Sequence, residues 1–543
     1  MSTELENPHY PRWLKDAIFY EVYPQSFRDS NGDGIGDLPG VIEKLDYIRS
    51  LGCDTVWLNP FYASPFRDAG YDVTDHYAVA ERYGCMEDVI RLFEEAHRRG
   101  MRVVLDLVPG HTAELHPWFQ ASAKHERNEY SDYYIWTDSV LTLGETDLRM
   151  IAGDVEREGA HAINFFSHQP ALNYGYAHPD PNCSWQQATH APGPTAVRAE
   201  LNRLMRFWLE QGCDGFRVDM AHSLIKGGGN QAAMHELWAE VRAWMDIDFP
   251  DAVLLAEWGK PAEAIQAGFH MDFMIHFGTS AYTSLFRKQW GFSFSLNPYG
   301  CSFFDRSGRG NIREFVDVFE REYAGSRGKG FVSLPTGNHD VAPRLADGRD
   351  AEDLKVAYAF LLTMPGIPTI YYGDEIGMKG VQGLPSKEGG YIRTMVRTPM
   401  QWDASEQAGF SEAAQSAFYL PLEERADRPD VATQMSQPDS LLHCVRQLIA
   451  LRRAMPALGN EADYRTLFAE PGQVPYVYLR SNQEQRVIVA INPTAQIASV
   501  SLSTSIVNLE RAELVMGVGE LKFEADASVL TLPSVSFGIW CLT

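Results

Sequence analysis

The feature that most limits how this chain can fold is a recurring couplet. A short, nearly continuous apolar run is followed by a longer stretch of helical periodicity. The apolar runs are AIFYEVY from Ala17, TVWLNP from Thr55, RVVLDLV from Arg102 and GFRVDM from Gly215, then AVLLAEW from Ala252, HMDFMIHF from His270, FVSLPT from Phe331 and TIYYGDE from Thr369. Between them lie segments such as MEDVIRLFEEAHRRG and TAVRAELNRLMRFWLEQG, whose apolar residues recur at the spacing of one helix face. Near-continuous apolar strands belong to a parallel sheet covered on both sides. Eight such units predict an α/β chain closed into a (β/α)8, or TIM, barrel.

The couplets are unevenly spaced. Residues 111–194, between the third strand and the helix before the fourth, are rich in aromatics, Asp, His and Asn. A structureless loop of that length is uncommon in a compact domain, so this stretch reads as an inserted subdomain over the barrel mouth. The helix LLHCVRQLIALRRAM from Leu441 closes the barrel. The runs YVYLRSN, RVIVAINP, ASVSLS and SVLTLP then alternate as strands of a C-terminal antiparallel β-sandwich. The expected division is therefore 1–110 and 195–458 for the barrel, 111–194 for the insert and 459–543 for the sandwich.

Composition excludes some functions. A net charge of -25 argues against a nucleic-acid partner, which needs clustered Lys and Arg. Most of that acidity reads as solubility. No apolar run reaches the roughly 18 residues of a membrane helix, so no membrane partner is expected. The opening MSTELENPHYPRW has neither the basic nor the apolar region of a signal peptide. Seven scattered Cys without a C-x-x-C pair read as reduced thiols of a cytoplasmic protein.

In a barrel of this kind, active residues sit where strands end and loops begin. Strand three leads into Asp106 and His111, and strand four ends in Arg217 and Asp219. Strand five ends in Glu257 and Trp258. Strand seven leads into Asn338, His339 and Asp340, and strand eight into Asp374 and Glu375. Each alone has a bland reading as an ion pair or a satisfied loop residue. Their convergence on one rim is harder to explain that way. Glycoside cleavage needs one carboxylate to attack the sugar carbon and another to protonate the leaving oxygen. Asp219, two residues from Arg217 on one strand face, is expected to be held ionised as a nucleophile. Glu257, in the apolar run LLAEW, is expected to be a proton donor. Asp340 is placed to hold ring hydroxyls, with His111 and His339 donating to the same ring. Tyr71, Trp258 and Trp402 are candidate stacking surfaces for a sugar.

These residues stand in a familiar order. DLVPGH (106–111), GFRVD (215–219), AEW (256–258) and GNHD (337–340), with QPALN (169–173), RDAGYDVTDH (67–76) and RTPMQWD (397–403), resemble the α-amylase family of glycoside hydrolases. The likeness is greatest to the oligo-1,6-glucosidase, α-glucosidase and trehalose synthase branch, and it spans nearly the whole chain. It implies Asp219 as nucleophile, Glu257 as acid/base and Asp340 as transition-state stabiliser. Asp68, Tyr71, His111, Arg217 and His339 would line the sugar pocket. Arg397 would pair with Asp68 and cap its far side, which implies action on a terminal glucose of a small di- or oligosaccharide. Three departures stand out: Gly110 where the family usually has Asn, Ala171 where it has an acid, and Met220 and Ala221 after the nucleophile. They leave the core chemistry in place and bear on linkage preference and acceptor choice.

The loop DSNGDGIGD (29–37) resembles the start of an EF-hand loop, but position twelve would be Gly40 and no flanking helix pair is evident. The family branch uses this loop for a structural Ca2+ or Mg2+, with Asp29, Asn31, Asp33, the Ile35 carbonyl and Asp37 as the implied ligands. An Asx-rich turn without metal is the other reading. Four functions follow from the resemblance: a retaining exo-acting α-glucosidase, a transglucosidase or isomerase using the same covalent intermediate, an inactive carbohydrate-binding relative, and a mid-chain amylase. The carboxylate set disfavours the third, and the blocked pocket the fourth.

Overall fold

The computed structural model describes residues 9–141, 147–274, 280–287, 301–503, 511–523 and 527–542. Eight parallel strands close a barrel in sequence order: β1 (Phe19–Val22), β2 (Thr55–Leu58), β3 (Arg102–Leu107), β4 (Gly215–Val218), β5 (Val253–Ala256), β6 (Met271–Phe273), β7 (Phe331–Pro335) and β8 (Ile367–Tyr371). All eight apolar runs contain a barrel strand. Residues 275–277 of the expected sixth strand lie outside the described residues. Closure leaves no free sheet edge and divides each strand's residues between an inward and an outward face. Phe19, Trp57, Val104, Leu255, Met271 and Phe273 plug the barrel interior as one apolar cluster. Tyr20, Val56, Val103, Phe216 and Leu254 belong to the larger core that takes in the surrounding helices.

The end of β3 opens into the long insert. Before the 20-residue helix Pro192–Gln211 the chain forms the short helix Pro117–Ser122 and a two-stranded ribbon, Met150–Ala152 against Ala160–Ala162. An isolated bridge joins His111, in the loop after β3, to Ala171, and a second, Tyr134 to Leu172, lies within the insert. At the C-terminus β9 (Asp463–Phe468), β10 (Tyr476–Ser481), β11 (Arg486–Asn492), β12 (Ala498–Ser503), β13 (Ala512–Gly517), β14 (Glu520–Phe523), β15 (Ala527–Leu532) and β16 (Ser536–Leu542) form two antiparallel sheets. The five-stranded sheet runs β9-β10-β11-β16-β13, and the three-stranded sheet runs β12-β15-β14. Val477, Ile488, Val500, Leu530 and Trp540 fill the space between them. Among the described residues, no helix is long and apolar enough to cross a membrane.

Candidate active site

The inward positions near the C-terminal ends of the strands are polar, and they assemble around one guanidinium. Asp106 on β3 and Arg217 on β4 are register partners. Gly215 lets β4 lie close to β5, because a Cβ there would stand 2.2 Å from the Val253 carbonyl oxygen. Arg217 Nη1 bonds Asp106 Oδ1 at 2.7 Å and Asp219 Oδ1 at 3.0 Å, while Nη2 meets Glu257 Oε1 at 2.6 Å. The other oxygen of Asp106 accepts from Trp57 Nε1 and the Tyr71 hydroxyl at 2.9 and 3.0 Å. Glu257 Oε2 accepts the Met220 N–H at 2.8 Å. Asp272, fully buried on β6, accepts the N–H groups of Trp258 and Lys260 and so fixes the loop that carries Glu257.

A cavity of about 360 Å³ opens above this cluster. Asp68, Tyr71, His111, Phe165, Asp219, Met220, His222, Glu257, Trp258, Asp340 and Arg393 line it. Arg217 and His339 are buried directly behind that wall, at 1% and 0% exposure. The structure therefore brings the three candidate carboxylates and Asp68, Tyr71 and His111 to one cavity. Asp374 and Glu375 are not part of it. Asp374 accepts from Thr336 and Arg344, and Glu375 accepts from the hydroxyls of Tyr20 and Tyr47. Trp402 is also elsewhere, packed edge-on against Phe27 and Tyr47.

The far side of the cavity corrects one expectation. Arg397 does not pair with Asp68. Its Nη2 reaches Asp340 Oδ1 at 3.0 Å, and its Nε donates to the His339 carbonyl at 2.8 Å. Arg393, one turn earlier in the 3-10 segment Tyr391–Val396, lies 3.4 Å from Asp68 and 2.7 Å from Asp340. Gln169 Nε2 donates to the other Asp68 oxygen at 2.7 Å. The resemblance points to Arg397, but the curl of the 3-10 segment turns Arg393 toward Asp68 and leaves Arg397, just past its end, on Asp340.

Electrostatics separates the carboxyls in an order that differs from the sequence expectation. For Asp219, burial and the adjacent Glu257 outweigh the pull of Arg217, and its carboxyl lies well above the ordinary range. For Asp340, burial pushes upward, but His339, Arg393 and Arg397 together prevail and hold it well below the carboxylate range. Burial pushes Asp68 up to about 7 against the opposing pull of Arg393.

The two histidines differ in their partners. His111 Nε2 faces the Tyr71 carbonyl at 3.0 Å, and Nδ1 faces the Asn164 amide at 2.9 Å. His339 Nδ1 meets Glu21 at 2.8 Å, and its Nε2 faces Asp340 at 3.3 Å. Both ring nitrogens of His111 are thereby engaged, whereas His339 Nε2 is buried without a hydrogen-bond partner. Glu21 itself carried a legible signal, a charged residue inside the apolar run of strand one, and it is fully buried.

In the loop 29–37, Asp29 accepts the N–H groups of Asn31, Gly32 and Gly34 and the Ser411 hydroxyl. Asn31 and Asp33 accept from residues two further on, and Asp37 caps the following helix through Gly40. Asp29 and Asp37 are buried, whereas Asn31 and Asp33 are exposed. Among the described residues no three His, Cys, Asp or Glu side chains gather as a metal cluster. The side-chain donors are all oxygens, the set a hard divalent cation takes, and a cation at Asp29 would displace some of the four hydrogen bonds its carboxylate now accepts.

A closed parallel barrel with acid groups at the C-terminal ends of its strands, gathered round an arginine, defines an enzyme of glycosidic bonds. Residues 21–461 match the alpha amylase catalytic domain, and the chain belongs to that family as a glycoside hydrolase or transglycosidase of the α-amylase type. It is 34% identical to the trehalose synthase/amylase TreS of Mycobacterium tuberculosis over 526 residues, covering 89% of this chain and 82% of that one. It is 30% identical to the oligo-1,6-glucosidase of Parageobacillus thermoglucosidasius, over 88% and 90% of the two chains. Among solved structures, trehalulose synthase MutB from Pseudomonas mesoacidophila superposes with a TM-score of 0.79 at 26% identity, covering 98% and 99% of the chains.

Proposed function

We propose that the chain is a retaining, exo-acting α-glucosidase that removes a terminal glucose from short α-glucosides through a covalent glycosyl-enzyme. The observation that carries this is the clamp. The two Nη atoms of Arg217 hold Asp219 and Glu257 side by side. That suits the short separation, roughly 5–5.5 Å, of retaining pairs rather than the wider gap that admits a water. Asp219 attacks the anomeric carbon while Glu257 gives its proton to the leaving oxygen. Glu257 then takes a proton from the incoming acceptor. Asp219, whose carboxyl burial pushes up, must give up its proton before it attacks. Asp340, held ionised by two arginines, accepts ring hydroxyls and favours the charge that builds in the oxocarbenium-like transition state. The bridge Asp68–Arg393–Asp340 ends the cavity behind the sugar, which supports cleavage at a chain end.

A second reading, an isomerase or transglucosidase, is favoured by the trehalose synthase among the relatives and the trehalulose synthase among the structures. Product analysis separates the two. Maltose, isomaltose, nigerose, kojibiose, trehalose and sucrose are incubated singly with the enzyme. Free glucose as the main product supports hydrolysis, a new disaccharide supports transfer, and no turnover of any member overturns both.

The loop 29–37 is proposed to hold a structural Ca2+ or Mg2+ through Asp29, Asn31, Asp33, the Ile35 carbonyl and Asp37, none of which lines the cavity. The ion would tie the loop and supply no chemistry to the reaction. A ligand at a hundred times its Kd stabilises by about 2.7 kcal/mol, so adding Ca2+ or Mg2+ to chelator-treated protein is expected to raise Tm by a few degrees. An unchanged Tm with both ions counts against the site. Cys53, Cys85, Cys213, Cys444 and Cys541 are free thiols, which supports a reducing, cytoplasmic setting.

A further inference from the structure

We propose that Asn164, on the insert, is a positioning residue that locks His111 into one neutral tautomer, and that Gly110 is present to make room for it. The inference rests on the reading of the cavity as a glycosyl site. A backbone carbonyl can only accept, so the 3.0 Å contact from His111 Nε2 to the Tyr71 oxygen puts the ring proton on Nε2. Nδ1 is then a lone pair and needs a donor. The Asn164 amide supplies it at 2.9 Å. The same amide nitrogen lies 3.7 Å from Met220 Sδ, and the Met220 N–H holds Glu257. Met220 itself carries a φ of 43°, a conformation that a non-glycine residue keeps only where its surroundings hold it.

The space for this contact is made on β3's loop. A Cβ at position 110 would stand 2.8 Å from Asn164 Nδ2, inside normal contact distance. A side chain at position 110 would therefore push the amide away from its present place against the ring. Asn164 is anchored at both backbone ends, its N–H to the Gln169 carbonyl at 2.9 Å and its carbonyl to Arg149 at 2.6 Å. Phe165, the next residue, lines the cavity. One amide thus ties the insert to both barrel loops that flank the acid pair. A neutral, fixed His111 also adds no positive charge beside a transition state that is itself cationic.

The test is 1H–15N spectroscopy of the histidine side chains, with the His111 signal identified by its loss in His111→Gln. The expected wild-type signal is a single Nε2–H tautomer unchanged between pH 5 and 8. Asn164→Asp replaces the donor with an acceptor and is expected to protonate Nδ1, giving an imidazolium signal in that range. Gly110→Ala is expected to displace the amide and mix the tautomers. In both variants kcat/KM is expected to fall at least about tenfold, within the roughly hundredfold that a misplacement of ~1 Å costs, chiefly through kcat. An Nδ1–H tautomer in the wild type, or variants with unaltered His111 signals, overturns the proposal. Altered signals with unaltered kcat/KM overturn the catalytic part of it. If no glucoside is turned over, the glycosyl reading fails while the wild-type spectrum still decides the tautomer.

Discussion

Asp219→Asn is expected to lower turnover by about 10⁴-fold or more while the protein stays folded. The substitution keeps the size of the side chain and removes only the group that would form the covalent bond. Arg217 would still hold Asp106 and Glu257, so no buried charge is stranded. The burial of Asp219 in a repelling pair suggests that its neutral replacement costs little stability. Steady-state rates on whichever disaccharide the wild type turns over, together with a thermal melt, check both halves. Wild-type-like turnover in the variant would refute the assignment of the nucleophile.

Arg217→Leu is expected to damage the fold and the activity together. The guanidinium is 1% exposed and answers three carboxylates. Removing one partner of a buried ion pair costs about 3 to 5 kcal/mol, because the remaining charges are left without compensation. Here Asp106, Asp219 and Glu257 would all lose the guanidinium they share. A drop of several degrees in Tm and loss of measurable turnover are expected. A variant melting with the wild type would mean that the carboxyls are neutral in the resting protein and that the clamp does not bind them as described. Asp219→Asn and Arg217→Leu thus form a pair: both lose activity, and only the second loses stability.

The barrel was legible because its strands are nearly continuous apolar runs, and each of the eight runs carries one. The polar groups that break those runs were informative in proportion to how improbable they are in an apolar strand. Asp106 and Arg217 stood out as charges in apolar strands, and the fold makes them register partners. Glu21 carried the same signal in strand one. The cavity's far wall was less legible, since Arg393 and Arg397 differ only by the turn of a 3-10 segment. Asn164 and Phe165 come from a bend after the ribbon in the insert, where no periodicity ties a residue to the cavity. Charge order was the least legible: sequence gives Asp219 an arginine neighbour, but only the fold reveals that Glu257 shares that arginine and that burial outweighs it. Asp374 and Glu375 illustrate the opposite error, strand-end carboxylates whose partners are structural.

Proton NMR of the reaction in its first minutes, before the released sugar mutarotates, addresses the carboxylate pair directly. Two displacements at one carbon return the starting configuration, so α-glucose, or an α-linked product, is expected to appear first. A β-configured first product would mean a single displacement by an outside nucleophile, and the covalent role given to Asp219 would be wrong.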